Sequence, residues 1–230
     1  MCPRRFLELV EAVRLRHPDD QFFDQFERRL ASTPLIAKHY GAYEDAFETI
    51  DDRSWQVLMV KAIGHFLDHR KGQLKQGFFN QLNDAFAYEH LVSLGCQDVS
   101  ILVEDGTTCP DISYVDDAGQ LRFCEVKTIN ISEDEIARRT SKQIFSSADL
   151  YATLGPTYIK KLNEVMDTAV KQMTARGAIG LIYILVHFDD FTLDFFESYK
   201  QQIRECLASH SAPAVIVQVG VLGNYMISKP

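Results

Sequence analysis

Residues 110–129, PDISYVDDAGQLRFCEVKTI, decide how this chain folds and which chemistry it carries. Leu121–Ile129 is rich in β-branched and aromatic residues, as strands are. With a period of two, Glu125 and Lys127 fall on one face of that strand. Residues 111–115 predict a second short strand, and the residues between the two strands have the composition of a turn. The stretch therefore predicts a β-hairpin with a carboxylate and an amine together on its second strand.

The predicted hairpin also brings two carboxylates together. Folding about Ala118 sets Asp111 opposite Glu125, because the mean of their positions is 118. Directly opposed residues in antiparallel strands have Cβ atoms about 4.5–5.5 Å apart. Two carboxylates at that separation repel each other unless one binds a proton or both bind a cation. Carboxylate oxygens are the ligands that Mg²⁺ and Mn²⁺ prefer, so the spacing predicts a divalent metal site.

A third carboxylate lies on the predicted core face of the preceding helix. Over residues 78–94 apolar side chains recur at helical spacing: Phe78, Leu82, Ala85, Phe86 and Val92. Glu89 falls on the same stripe. Because a buried carboxylate without a partner costs free energy, we expect a metal ion, a bound water or Lys127 beside Glu89.

Each of these signals also has an ordinary structural interpretation. A Glu-x-Lys on a strand is more often a solvated ion pair, and Pro-Asp is a common start of a turn. The combination is more specific than its parts, because helix, hairpin and strand follow one another with compatible faces. We therefore take the functional interpretation as the hypothesis to be compared with the structure.

Together these residues resemble the motif of the PD-(D/E)xK nuclease superfamily. Pro110-Asp111 matches the PD, Glu125-Val126-Lys127 matches the (D/E)xK, and Glu89 matches the acidic residue of the first core helix. The resemblance covers about residues 77–220. It implies an α/β fold with a restriction-endonuclease-like core. The elements of that core are, in order, a helix, three strands that form an antiparallel start of the sheet, a second helix and a further strand. The chain predicts such elements in that order: a helix at 78–94, strands at 99–103, 111–115 and 121–129, a helix at 156–176, a strand at 178–187, a helix at 193–208 and a strand at 214–219.

The resemblance also implies a mechanism. Asp111 and Glu125 would ligate one or two Mg²⁺ or Mn²⁺ ions, together with the backbone carbonyl of Val126. Glu89 would complete the coordination directly or through water. Lys127 would orient the attacking water or help to deprotonate it, and would offset charge on the phosphorane-like transition state. The expected activity is hydrolysis of phosphodiester bonds. DNA is expected as the substrate rather than RNA, because most members of the superfamily act on DNA.

Outside the motif the sequence predicts a helical N-terminal region, residues 1–76, followed by the nuclease-like core, residues 77–230. The N-terminal helices either pack against the core or form a module for dimerisation or partner docking. At their end, Arg70, Lys71 and Lys75 either contact phosphates or belong to a solvated linker.

The stretch 130–155, after the proposed catalytic strand, is longer than a minimal core needs. Ser132 predicts the N-cap of a helix there, and that helix carries Arg138 and Arg139. The segment is either an insertion that touches the substrate or an ordinary solvated helix.

The charge of the chain limits the nucleic-acid interface that we expect. Its formal net charge is −8 at pH 7, whereas dedicated nucleic-acid binders usually show a basic excess. Residues 76–121 hold eight acidic and no basic side chains, so the acidic excess peaks where metal ligands are predicted. We expect modest affinity for bare duplex and a protein partner that delivers the substrate. Because cutting both strands often calls for two active sites, we also expect a homodimer.

Cysteine usage and apolar runs indicate the compartment. The five cysteines are an odd number without a CxxC pair, which favours reduced thiols in the cytoplasm. The first residues lack the apolar segment of a signal peptide. The longest apolar run, near residues 178–186, is too short to span a membrane. We therefore expect a cytoplasmic protein without a membrane segment.

Two rival interpretations stay open. In the first, the chain keeps the nuclease fold without turnover and acts as a nucleic-acid-binding or scaffolding subunit; the intact Asp111, Glu125 and Lys127 speak against it. In the second, the motif is a chance match in an unrelated α/β protein. The site would then be residues 187–190, at the end of the central strand where ligands gather. A polar turn that ends a strand is the ordinary explanation of that stretch.

Overall fold

The structure is a computed structural model that describes residues 4–70, 72–104, 109–146, 151–175, 177, 180–190, 192–222 and 225–229. The described helices are α1 (Arg4–Arg16), α2 (Phe26–Ser32), α3 (Pro34–Thr49), α4 (Asp52–Gly64), α5 (Gln76–Leu82), α6 (Asp84–Ser93), α7 (Glu133–Thr140), α8 (Pro156–Ala175) and α9 (Phe196–Ser209). The described strands are β1 (Gln97–Ile101), β2 (Ile112–Val115), β3 (Leu121–Ile129), β4 (Gly180–Val186), β5 (Ala214–Val219) and β6 (Met226–Ser228). The fold is mixed α/β, as predicted. Within the described residues the strands form one six-stranded mixed sheet in the order β1 to β6.

The chain divides into two compact units, Met1–Arg122 and Phe123–Pro230. This division differs from the predicted boundary after residue 76, because α5 and α6 pack against the N-terminal helices. The ring of Phe78 in α5 lies 5.4 Å from that of Phe66, and the ring of Phe86 in α6 lies 5.1 Å from that of Tyr43 in α3. The N-terminal helices therefore pack against α5 and α6, and a role for them in dimerisation or partner docking stays a prediction.

Of the basic residues at the end of the N-terminal region, Lys75 is used inside the fold. The Lys75 side chain is buried, forms an ion pair with Asp20 and lies 3.9 Å above the Phe66 ring. Both contacts stabilise the loop before α5, so the interpretation of Lys75 as a solvated or phosphate-contacting residue is wrong. Lys71 lies outside the described residues.

In the first unit, β1 and β2 form an antiparallel pair that sets Ile101 opposite Ile112. The turn after β2 is closed by the Asp116 N–H, which donates to the Gln120 carbonyl at 3.0 Å. Gly119 has a φ of +72°, a conformation that side chains disfavour. The predicted turn between the two strands of the motif is therefore confirmed.

The second unit is built on parallel strands. β3 pairs with β4 and β4 with β5 in parallel, while β6 adds an antiparallel strand beside β5. Every residue of β4 is buried, as is usual for a central strand covered on both faces. Helix α8 buries one apolar side: Leu162, Val165, Met166, Ala169 and Met173.

The predicted elements agree with the structure except at a few ends. β3 and β5 have the predicted bounds, and α7 begins at the predicted N-cap, where the Ser132 hydroxyl accepts the Glu135 N–H at 3.0 Å. Residues 176, 178 and 179 of the predicted elements lie outside the described residues. The predicted helix 78–94 is two helices. The chain tightens between them, where the Asn83 N–H bonds to the Asn80 carbonyl three residues back instead of four.

Among the described residues, Cys96, Cys109, Cys124 and Cys206 form no disulfide bond. Cys2 lies outside the described residues.

Candidate functional site

Strand β3 carries a buried ion pair at the predicted (D/E)xK position. The Lys127 Nζ donates to Glu125 Oε1 at 2.5 Å, so the two side chains share a face, as predicted. The Glu125 side chain is 1% exposed and that of Lys127 is 23% exposed. One charged end of the pair is therefore inside the protein, while the other reaches solvent.

The position of β3 explains the ion pair. In register, Glu125 lies beside Ile182 and Lys127 beside Ile184 of the buried strand β4. These neighbours are apolar and do not solvate a carboxylate. Burying a charge costs several kcal/mol unless a partner offsets the cost, and the amine of Lys127 supplies that partner. A carboxylate kept at such a position needs a role beyond filling the core.

The predicted PD aspartate belongs to a different charged group, in the first unit. Asp111 precedes β2, and its carbonyl accepts the Leu102 N–H at 2.8 Å, which fixes it beside the end of β1. Its Oδ1 lies 3.4 Å from Lys61 Nζ in α4. The same amine lies 2.7 Å from Asp84 Oδ2 in α6 and 3.7 Å from Glu104 Oε1. We call these four residues the Lys61 cluster.

The Lys61 cluster carries more negative than positive charge. Its three carboxylates face one amine, and the side chains of Lys61 and Asp84 are each only 4% exposed. Burial raises the pKa of Asp84 well above its ordinary value, and the nearby carboxylates push it in the same direction, although Lys61 opposes them. Burial lowers the pKa of Lys61, but the three carboxylates outweigh it and the net direction is upward. The amine therefore stays protonated, and the cluster attracts further positive charge.

The structure distinguishes Asp84 from the predicted helix carboxylate, Glu89. The two are five residues apart in α6, which places their side chains about 140° apart around the helix axis. Glu89 is half-buried, and its pKa is raised by burial and by the negative charge of Asp45 in α3. Among the contacts described, the α6 carboxylate grouped with Asp111 is thus Asp84, and a catalytic role for Glu89 stays a prediction.

Lys61 and Asp84 were not among the predicted site residues, although each has an unusual position in the sequence. Lys61 interrupts an apolar stretch of α4, which a cation seldom does without a partner. Asp84 directly precedes Ala85 and Phe86, next to the apolar stripe used to predict the helix. Neither position identifies the other residue, because the pair forms only when the fold brings Lys61 of α4 and the first residue of α6 together.

A cleft adjoins the Lys61 cluster. Its volume is about 420 Å³ and its lining comes from α4, the turn after it and the end of β1: Gln56, Val57, Val60, Lys61, Gly64, His65, Val103 and Glu104. The walls are mostly apolar, with charged groups at one side. A cleft of this size accepts a small organic ligand or one unit of a polymer.

The alternative site at residues 187–190 has a structural explanation. Asp189 accepts the N–H of Ser132 at 2.8 Å and its hydroxyl at 2.6 Å. Asp190 accepts the Thr192 hydroxyl at 2.7 Å and the Tyr199 hydroxyl at 3.1 Å. These bonds tie the loop after β4 to the start of α7 and to α9, so both carboxylates serve the fold.

The donor groups that a metal would need are carboxylates, but they are not gathered as a preformed set. Among the described residues, no group of three or more His, Cys, Asp or Glu side chains is arranged to hold a metal ion. The described helices also include none long and apolar enough to cross a membrane. Comparison of the chain with protein-family models, with curated proteins and with solved structures gave no match.

Proposed function

We propose that this protein is a metal-dependent nuclease that hydrolyses phosphodiester bonds, in DNA ahead of RNA. The observation that carries the proposal is the ion pair on β3, in which the buried Glu125 accepts from Lys127 at 2.5 Å. A carboxylate and an amine two residues apart on one strand face are the groups that the (D/E)xK motif requires. The mixed α/β sheet and the order of its elements support a restriction-endonuclease-like core.

The donors at the motif positions fit Mg²⁺ or Mn²⁺. We propose that the carboxylates of Asp111 and Glu125 and the backbone carbonyl of Val126 hold the ion, because all three are hard oxygen ligands. Asp84 and Glu89 are the two candidates for a further carboxylate from α6. When bound, such an ion lowers the pKa of water and stabilises a leaving oxygen.

Lys127 and Glu125 have separate roles in the proposed reaction. The amine of Lys127 reaches solvent, so it holds a water molecule by hydrogen bond and orients it for attack. Its positive charge offsets the negative charge that develops on the phosphate oxygens. Glu125 accepts from the amine and thereby keeps it in one position on the strand.

The charge of the chain bears on how substrate arrives. A net charge of −8 repels the phosphate backbone, and the Lys61 cluster adds to that repulsion. We propose that a protein partner or bound cations offset this repulsion. A homodimer would supply the two active sites needed to cut both strands of a duplex.

A second function is a nuclease-fold subunit that binds nucleic acid or a partner without turnover. The observation that favours it is the contact of Asp111 with Lys61, because an amine 3.4 Å from the PD carboxylate competes with a metal ion. Metal binding and cleavage are therefore measured separately in the test.

The first experiment is a cleavage panel of supercoiled and linear duplex DNA, single-stranded DNA and RNA, with Mg²⁺, Mn²⁺ or EDTA. We expect cleavage with metal and none with EDTA. Lys127→Ala should lose about 100-fold or more in rate, the usual contribution of a group that handles the proton of the attacking water. The matched control is Lys200→Ala, which removes another partly exposed lysine paired with a glutamate, Glu197 at 3.3 Å. It should retain the rate.

Other outcomes separate the alternatives. Metal binding by calorimetry that disappears in Asp111→Ala, without cleavage of any substrate, would favour the non-catalytic subunit. Cleavage that Lys127→Ala and Lys200→Ala retain equally would reject the assigned role of Lys127. Thermal melting of each variant shows whether a lost activity reflects a lost fold.

A further inference from the structure

The cleft beside the Lys61 cluster contains an oriented histidine that the assignment above leaves unused. His65 directly follows α4 and lines the cleft. Its Nδ1 lies 2.6 Å from Asp68 Oδ2, and its Nε2 lies 3.7 Å from Glu104 Oε2. The first contact identifies Nδ1 as the nitrogen whose hydrogen the Asp68 carboxylate accepts. Nε2 is then the nitrogen beside Glu104, which lines the same cleft, and it is the one available to donate a proton to a ligand there.

The turn that carries His65 and Asp68 packs against the start of α5. The Gly77 N–H donates to the Asp68 carbonyl at 3.0 Å. A Cβ at Gly77 would lie 2.5 Å from the Cβ of Asp68 and 3.0 Å from the carbonyl oxygen of His65. The turn therefore requires glycine there, and its packing holds the backbone of both residues in place.

The surroundings of His65 connect it to the proposed chemistry. The charged groups that face it are Asp68 in its own turn, Glu104 after β1, and Lys61 in the same cleft. Lys61 in turn lies 3.4 Å from Asp111. His65 is thus separated from the predicted PD carboxylate by one carboxylate and one amine.

The rest of the cleft suits part of a nucleotide. The side chains of Val60 and Val103 are 72% and 66% exposed, although both are apolar and line the same cavity. Such walls favour contact with the flat face of a base or with a sugar, as ligand pockets combine apolar walls with a few polar groups. The charged lining residues Lys61 and Glu104 belong to the Lys61 cluster, and His65 lines the cleft with them.

We propose that His65 Nε2 donates a proton to the leaving oxygen of the scissile phosphodiester, whose leaving-side nucleotide sits in the cleft. This inference rests on the proposed nuclease function. As the water oxygen bonds to phosphorus, the bond from phosphorus to the leaving oxygen breaks and its electron pair stays on that oxygen. The oxygen takes the Nε2 proton and leaves as an alcohol. The neutral imidazole then recovers a proton from solvent, and the proton of the attacking water is released to solvent.

The test compares His65→Gln with the wild type on two substrates, with Mn²⁺ in both arms. One is the ordinary oligonucleotide; in the other, sulfur replaces the leaving oxygen at the 3′ or 5′ bridging position, as the end groups of wild-type cleavage dictate. We expect a loss of about 100-fold on the oxygen substrate, the usual contribution of a general acid. On the sulfur substrate we expect a rate close to wild type, because a thiolate leaves without a proton.

The control is His69→Gln, which removes a nearby exposed histidine bonded to the Leu67 carbonyl and should cleave both substrates like the wild type. An equal loss on both substrates, or no loss on either, overturns the assignment of His65 while the nuclease function stands. A wild type that cleaves neither substrate overturns the nuclease function itself, and the role of His65 with it.

Discussion

Substitution of Gly180 by alanine is expected to abolish the fold of the second unit. A Cβ built on Gly180 lies 1.7 Å from the carbonyl oxygen of Phe123 and 2.7 Å from its carbonyl carbon. These are backbone atoms of the paired strand, since Phe123 and Gly180 begin the parallel register of β3 and β4. No rotamer change relieves the overlap, so the strands must separate. We expect a loss of about 4 kcal/mol or more in the free energy of unfolding.

The measurement is thermal and urea denaturation followed by circular dichroism. Gly41→Ala is the matched control, because it is the same change in a helix, α3, where a new Cβ meets nothing within 4 Å. It should stabilise the protein by about 0.5–1 kcal/mol, the helix preference of alanine over glycine. A melting temperature for Gly180→Ala that equals the wild-type value would show that β3 and β4 do not approach as described.

Gly180 also illustrates why strands were the easier part of the fold to predict. β3 and β5 were predicted to the residue, because β-branched and aromatic side chains fill each strand and turn residues bound it locally. The close approach at Gly180 was not predictable in the same way. It depends on Phe123, which lies far away in the sequence, and a lone glycine before an apolar run carries no signal of its partner.

In the candidate site, too, the feature that depends on one strand was predicted, whereas the contact between distant residues was not. Glu125 and Lys127 were predicted to share a face, and their ion pair confirms it, because a period of two is a property of the strand alone. The grouping of Lys61 with Asp84 was missed, because it joins residues 23 apart that only the tertiary fold brings into contact. The opposition of Asp111 and Glu125 stays a prediction from the symmetry of the turn.

The break in the helix predicted over residues 78–94 had consequences for the site. Read as one continuous helix, the stripe from Phe78 to Val92 placed Glu89 on the core face. The tighter turn at Asn83 begins a new helix, and its buried side includes Asp84 while Val92 is exposed. Asp84, which follows this tighter turn, is therefore the α6 carboxylate that the structure buries, at 3% exposed.

Loss of the Lys61 amine is expected to destabilise the first unit strongly. Lys61→Met keeps most of the side-chain volume but leaves Asp84 buried without its cation, 2.7 Å from where the amine stood. Removal of one partner of a buried pair costs about 3–5 kcal/mol, because the remaining charge is uncompensated. The free energy of unfolding should be measured in EDTA, so that no divalent cation replaces the amine.

The loss of stability caused by Lys61→Met should depend on pH. The direction of that dependence follows from the pKa of Asp84. Burial raises the folded-state pKa of Asp84 from its ordinary value of 3.8 to about 7. The stability linked to its protonation is therefore fully present below pH 3.8 and is lost as pH rises through about 7. Without Lys61, which opposes that shift, the folded pKa rises further and the loss continues to higher pH. We therefore expect Lys61→Met to be more destabilising at pH 8 than at pH 5.

A second variant isolates the buried charge from the lost packing. Asp84→Asn added to Lys61→Met removes the uncompensated charge, so the double variant should recover much of the stability and lose most of the pH dependence. The effects of the two single substitutions would then fail to add, as expected for residues in direct contact. A Lys61→Met loss below about 1 kcal/mol, equal at both pH values, would mean that the carboxylates of Asp84 and Asp111 are solvated rather than held around a buried amine.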